Sequence, residues 1–422
     1  MKIGWIDFAR EDRAKAMDAL HRLQDPMAVD ELGIGIIRDA FADAFFPGTS
    51  TIQTRAKYFV LIPYILKEAT SGKHGYSPDF VLKKVDKLER LAAQAMWVEN
   101  KEEPGLIGRS VMPKGWVART PSDIYWNGIR TFGIYTGKHS LSGYVADKLG
   151  RREAQNAARL GNKRKEEEGE GDDNEADEPS SAGVLDIGDL YSKERMPSGW
   201  GASLEMKLEC DEAEFLKKKI LSAKDTKDTL LARLLKNPMK LDKFLKPSDG
   251  NDGGCLFAAF AKEMSECPDV SDRNKHLLHL AVDFGKLVYA ARVFYNVLLG
   301  NKRAKEKWDE ITKEGLPKYA VLNVDDMMVA LKDYLSSARR NDSKFLKGLQ
   351  RTMQNGDEKG LEKIIRGREE KLKGKRSKLA KAKNGDVSSS SKWVGGTWLD
   401  FRLGAAAIVV KDIYEGLGEN PC

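Results

Sequence analysis

The sequence predicts a mainly α-helical, multi-lobed protein with a minor β component. Apolar residues recur at intervals of three and four through most segments, whereas alternating runs are sparse. One strongly acidic stretch, too polar to bury, interrupts that pattern near the middle of the chain. At 422 residues, two or three hydrophobic cores are expected rather than one.

Taken in order, FAREDRAKAMDALHRL spaces Phe8, Met17, Leu20 and Leu23 as a helix, with Asp7 placed to cap it and Pro26 just beyond. VDELGIGIIRDAFADAFF sets Leu32, Ile36, Ile37, Ala40, Phe41, Ala44 and Phe45 on one side and is halted by Pro47-Gly48. Residues 50–53 read S-T-I-Q, a capping box in which the Ser50 hydroxyl takes the Gln53 amide hydrogen and the Gln53 side chain returns to Ser50. A helix is therefore predicted to start there and to kink or end at Pro63. Phe80, Val81, Leu88, Leu91, Ala92 and Ala95 predict another over 77–97, and the Gly- and Pro-punctuated GLIGRSVMPKGWVART reads as a small hairpin or wing.

Residues 162–183, NKRKEEEGEGDDNEADEPSSAG, have no aromatic or branched aliphatic side chain to anchor them and read as a disordered acidic linker. They separate an N-terminal helical domain, 1–161, from a mainly helical C-terminal domain, 184–422. In the latter, DEAEFLKKKILSA, DTLLARLLK, NKHLLHLAVDFGKLVYAARVFYNVLL, VDDMMVALKDYLSSAR and LDFRLGAAAIVVKDIYEGL all carry helical spacing, while LEMKLEC alternates like a strand. A Ser run within 382–392 marks a second break.

The net charge of +7 is unevenly spread: residues 151–200 hold eight Lys/Arg against thirteen Asp/Glu, which leaves the rest of the chain at +12. An acidic insert thus masks a basic protein, and such a balance favours a polyanionic partner. Met1 runs into KIGWIDFAREDR with no apolar stretch behind a basic start, and AAAIVV is too short to span a bilayer, so a cytoplasmic protein without membrane contact is expected. Four scattered cysteines form no C-x-x-C pair and are read as reduced.

No phosphate loop, H-E-x-x-H or G-x-S-x-G elbow occurs, and GIGIIR lacks the third glycine of a dinucleotide site; no cofactor is expected. His276 and His279 would share a helix face, but their leucine neighbours and the lack of a nearby third ligand make them ordinary packing or surface histidines, and no metal site is expected. Glu205-Met206-Lys207 after Asp186 or Asp189 resembles the D…E-x-K arrangement of metal-dependent nucleases, where two carboxylates hold magnesium and the lysine orients water. In so charged a chain an E-x-K triplet arises by chance, so this stands as an alternative.

Two segments point to nucleic acid. Residues 361–383, LEKIIRGREEKLKGKRSKLAKAK, carry ten cations against three glutamates; Lys363, Arg366, Arg368, Lys371, Lys375, Arg376 and Lys378 are candidates for phosphate contact, the competing reading being a solvated surface helix. The 47–50 break and the helix after it have the size of a helix-turn-helix, with Gln53, Thr54, Arg55 and Lys57 suited to base edges and phosphates. Against this, residues 58–65 are apolar nearly all round, as in a core helix.

The run WIDF…DR…VDELGIG.IRDAFAD.FFPGTSTIQTRAKYF..IPYI over residues 5–65 closely resembles the start of an uncharacterised bacterial family, a domain of unknown function. GRSVMPKGWVARTPSDIYWNGIRTFGIY and WLDFRLGAAAIVVKDIYEGL look similar to the same family, so the resemblance spans most of the chain outside the linker. It implies an association with anti-phage defence islands, beside helicase, methyltransferase or phospholipase-D-like nuclease genes, and carries over no catalytic residues. The resulting expectation is a non-catalytic, DNA-associated or complex-forming subunit of a bacterial defence system, with helicase or nuclease partner proteins; the alternatives are a metal-dependent nuclease and a pure protein scaffold.

Overall fold

A computed structural model describes residues 30–71, 76–99, 104–112, 114–168, 183–190, 204–237, 241, 256–335, 340–383, 393–395 and 398–418. The helix expected around Phe8 to Leu23, most of the acidic linker and most of the Ser run lie outside them, as does the Asp189 side chain.

The described chain is helices joined by turns: α1 Gly35–Phe45, α2 Tyr58–Thr70, α3 Pro78–Glu99, α4 Pro121–Thr131, α5 Leu141–Glu168, α6 Cys210–Ser222 and α7 Leu230–Lys236. Then follow α8 Leu256–Glu266, α9 Asp272–Leu298, α10 Lys302–Glu314, α11 Val324–Ala330, α12 Arg340–Gln354, α13 Glu358–Lys373, α14 Lys378–Lys383 and α15 Leu403–Gly416. The protein is mainly α, and the described residues contain no strand.

Two compact units form, Met1–Phe45 with Pro247–Phe401, and Phe46–Lys246 with Arg402–Cys422. Each draws on two separated stretches, so neither coincides with the 1–161 or 184–422 sections expected from sequence, and the linker falls inside the second unit. Local patterning has no means of signalling that a C-terminal helix returns to an N-terminal core.

In the first unit, α9 is the central helix. Leu277, Ala281, Phe284, Val288, Ala291 and Tyr295 are among its buried residues, and α1, α8, α10 and α13 pack around it. Ser271 caps it by accepting from the Asn274 N–H. Phe41, Phe257, Phe284 and Phe401 meet ring to ring at 4.5–5.7 Å, which explains why α1 carries its apolar stripe.

In the second unit α2 is buried on nearly every side, with α3, α4, α5 and α6 against it. Thr120 and Asp123 form a capping box at the start of α4, whose first residue, Pro121, occupies a first-turn position that needs no N–H. Helix α15 lies on α6 and α7, with the Tyr414 hydroxyl donating to the Leu235 carbonyl at 2.7 Å.

Several local expectations are corrected. Helix α2 starts at Tyr58, not at Ser50: Gln53 Oε1 does accept from Ser50 N at 3.0 Å, but the Gln53 N–H goes to the Ser50 carbonyl and residues 50–57 run through turns. The N–H groups of Thr54, Arg55 and Ala56, which would otherwise sit in the first helical turns, are taken by side chains distant in sequence. Pro63 neither kinks the helix to a stop nor ends it; α2 continues to Thr70, because burial of Tyr64, Ile65 and Leu66 outweighs one lost backbone bond. Residues 104–112 and 114–119 run through turns and bends without a ladder.

LEMKLEC alternates as expected, Met206 and Leu208 buried with Glu205 and Lys207 exposed, yet pairs with no strand, and Cys210 already begins α6. Among the described residues the β component is one isolated antiparallel bridge, Tyr135 with Leu185. Helix α11 is only the first part of the VDDMMVALKDYLSSAR segment and gives way to turns after Ala330. The two helices of the expected helix-turn-helix, α1 and α2, belong to different units.

Candidate functional site

The Gln53–Lys57 stretch is an internal staple. Arg55 donates its Nε to both oxygens of Asp412, each at 3.0 Å, and Asp412 also accepts from the Ala56 N–H at 2.7 Å. The Lys57 ammonium meets Glu212 at 2.6 Å, and both side chains are buried. The Tyr125 hydroxyl accepts from the Thr54 and Arg55 N–H groups and donates to the Arg55 carbonyl, while the Thr54 hydroxyl donates to Gly105 O. Gln53 is buried and donates to Gly48 O. Burial pushes the Asp412 carboxyl above its usual range, with the Arg55 charge and the Ala56 N–H pulling the other way.

These four residues were the candidates for base reading. Gln53, Arg55 and Lys57 instead spend their polar atoms inside the second unit, and only Thr54 keeps partial exposure. The two early cations that oppose the helix dipole are answered by Asp412 and Glu212, not by an external anion.

The second basic segment lies in the first unit as an arm of α13, an elbow with a 3₁₀ turn over Gly374–Arg376, and α14. Nine of its ten cations, all but Lys383, have described side chains and divide into two groups. Arg368 is held: it donates to Leu32 O at 2.9 Å and Gly33 O at 3.3 Å, pairs with Asp342 at 2.6 Å and lies 4.9 Å over the Phe345 ring. Lys373 and Lys378 both reach Glu31, at 3.1 and 3.3 Å, and Arg366 donates to Glu362 and to Leu379 O. Although burial opposes it, hydrogen bonds and these two lysines hold the Glu31 carboxyl below its usual range.

Lys363, Lys371, Lys375, Arg376 and Lys381 form the other group. All five are exposed, and none has a hydrogen bond or ion pair among the described residues. Lys363 and Lys371 are eight positions apart on α13, a rise of about 12 Å along its axis. Lys375 and Arg376 project from the elbow, and Lys381 from α14.

The elbow is not a frayed end. Glu369 is fully buried and accepts four hydrogen bonds: the Tyr295 hydroxyl and the Lys378 N–H on Oε1, at 2.7 and 3.0 Å, and the Ser377 hydroxyl and the Leu379 N–H on Oε2, at 2.7 and 3.0 Å. A left-handed Gly374, φ +50°, makes the reversal into the elbow. Sequence reading missed Glu369 because a glutamate inside a run of lysines looks like a solvated partner in an i,i+4 pair. The small Ser377 directly after the Lys375-Arg376 pair was the available hint of a buried turn.

The remaining candidates stay apart. His276 pairs with Asp326 at 3.1 Å, and His279 lies on a shallow groove between α8 and α9 whose Asp283 pairs with Lys286. Asp186 pairs with Lys219, not with Glu205 or Lys207. Among the described residues no group of three or more His, Cys, Asp or Glu side chains is arranged to hold a metal.

Residues 1–153 match the model of a family of unknown function, DUF6361. The matched part includes the Gln53–Lys57 staple and ends well before the basic arm. No curated protein and no solved structure matches the chain.

Proposed function

We propose that this chain is a non-catalytic, DNA-associated subunit of a bacterial anti-phage defence system that meets the nucleic-acid backbone through the basic arm of α13, its elbow and α14. The observation that carries this reading is the set of five exposed cations, Lys363, Lys371, Lys375, Arg376 and Lys381, which have no partner among the described residues while their neighbours are consumed by the fold. Phosphates are met by such point charges with little sequence discrimination. The exposed positions offer no amide or aromatic side chain for base edges. The defence association rests on the family resemblance alone, as does the expectation of helicase or nuclease partners.

The test is fluorescence-anisotropy titration of the full chain with duplex and single-stranded DNA at several salt concentrations, with magnesium present and the DNA inspected for cutting afterwards. If all five cations release counterions, log K falls against log salt with a slope of about −4.5 on duplex and about −3.5 on single strands. Cleavage would move the reading to the nuclease alternative. Absence of binding at low salt would leave the scaffold, whose own sign is stable co-purification with a neighbouring helicase or nuclease.

A further inference from the structure

We infer that Glu369 is the positioning residue of the basic arm, holding the elbow cations at a set spacing from those of α13 so that a phosphodiester backbone meets a preformed surface. This rests on the proposed DNA association. Four donors from three places in the chain converge on one buried carboxyl: Tyr295 on α9, Ser377 in the turn, and the N–H groups of Lys378 and Leu379 opening α14. Both arms of the elbow are therefore tied to the central helix of the unit. Arg366 adds a bond from α13 to the Leu379 carbonyl, and Arg368 anchors α13 to residues 32 and 33.

Without that tie, KLKGKRSKLAKAK is a Lys-rich stretch whose cations would each have to be ordered on binding. A surface ordered beforehand avoids part of that entropy loss, and about 1.4 kcal/mol avoided is tenfold in affinity. Loss of order changes affinity without changing how many phosphates are neutralised in the complex. Its signature is a parallel downward shift of the log K against log salt line, whereas removal of a contacting cation flattens the line by about 0.9 on duplex DNA.

Glu369→Gln is the informative change, because each carboxyl oxygen faces one hydroxyl and one backbone N–H. The hydroxyl can turn, but whichever oxygen becomes NH2 leaves a donor against a backbone donor. In the full chain this variant is expected to bind duplex DNA about tenfold more weakly with an unchanged salt slope. Faster amide exchange at Lys378 and Leu379 should accompany the loss. Tyr295→Phe with Ser377→Ala keeps the carboxyl and removes two of its donors; a shift of the same parallel kind, only smaller, is expected and serves if Glu369→Gln does not fold. A wild-type chain that binds while both variants match it in affinity overturns the inference and leaves the DNA association standing. A wild-type chain that does not bind overturns both.

Discussion

Arg55 and Asp412, 357 positions apart, form a buried side-on pair in which the Arg55 Nε reaches both carboxylate oxygens at 3.0 Å. The pair ties the turn before α2 to α15. Removal of one partner strands the other charge away from water, so Arg55→Ala is expected to destabilise the chain by about 3–5 kcal/mol. Denaturant unfolding checks the loss. The same variant, under conditions where it remains folded, should bind DNA as the wild type does; weaker binding would return Arg55 to the role of a reading residue.

Glu89 on α3 is buried, accepts from the Ser122 N–H at 2.6 Å through Oε1, and has no partner for Oε2 among the described residues. Burial, reinforced by Asp123 and Asp86, pushes its carboxyl up to about 8, against the Ser122 hydrogen bonds. The folded chain thus holds this proton more tightly than the unfolded chain, whose value lies near 4.5. Its contribution is full below that pH and is lost as pH rises through 8, with a ceiling of about 5 kcal/mol. Melting temperatures of wild type and Glu89→Gln should therefore diverge across this window, the glutamine variant gaining on the wild type toward pH 8. A constant difference would show that Glu89 does not titrate there.

Gly128 lets α4 sit directly on α2. A Cβ at that position would run into the Phe59 ring and the Gly48 carbonyl oxygen, and Gly48 itself turns at φ +79° against Phe132. Alanine is the better helix former, so Gly128→Ala would stabilise an isolated helix; in this unit it is expected to cost about 1–3 kcal/mol through overpacking. A raised melting temperature would contradict this packing.

Cations of the basic arm should separate by their partners rather than by their sequence order. Lys375→Ala with Arg376→Ala is expected to lower duplex affinity and flatten the salt slope by about 1.8, with stability nearly unchanged. Arg368→Ala should do the reverse, destabilising the unit by removing the buried charge that faces Asp342 and the bonds to the Leu32 and Gly33 carbonyls, while the slope holds. Equal effects of the two changes on the slope would mean that charge count alone, not geometry, governs binding.

The sequence by itself determined the helical class and most helix positions, because the periodic burial that defines an amphipathic helix is written in neighbours three and four residues apart. The stripe of α1, apart from Ile36, which is exposed, the span of α3 and the long α9 were legible in this way. Basic composition likewise marked the 361–383 arm. Only the tertiary structure decided which cations were available, since the answer lies in acidic partners with no local signature. Asp412 and Glu212 take Arg55 and Lys57 into the core of one unit, and Asp342 and Glu31 take Arg368, Lys373 and Lys378 in the other. The start of α2 was decided the same way: the Gln53 half of the S-T-I-Q box is present, but Tyr125 and Asp412 capture the N–H groups of residues 54–56, which a helix from Ser50 would need for the carbonyls of residues 50–52.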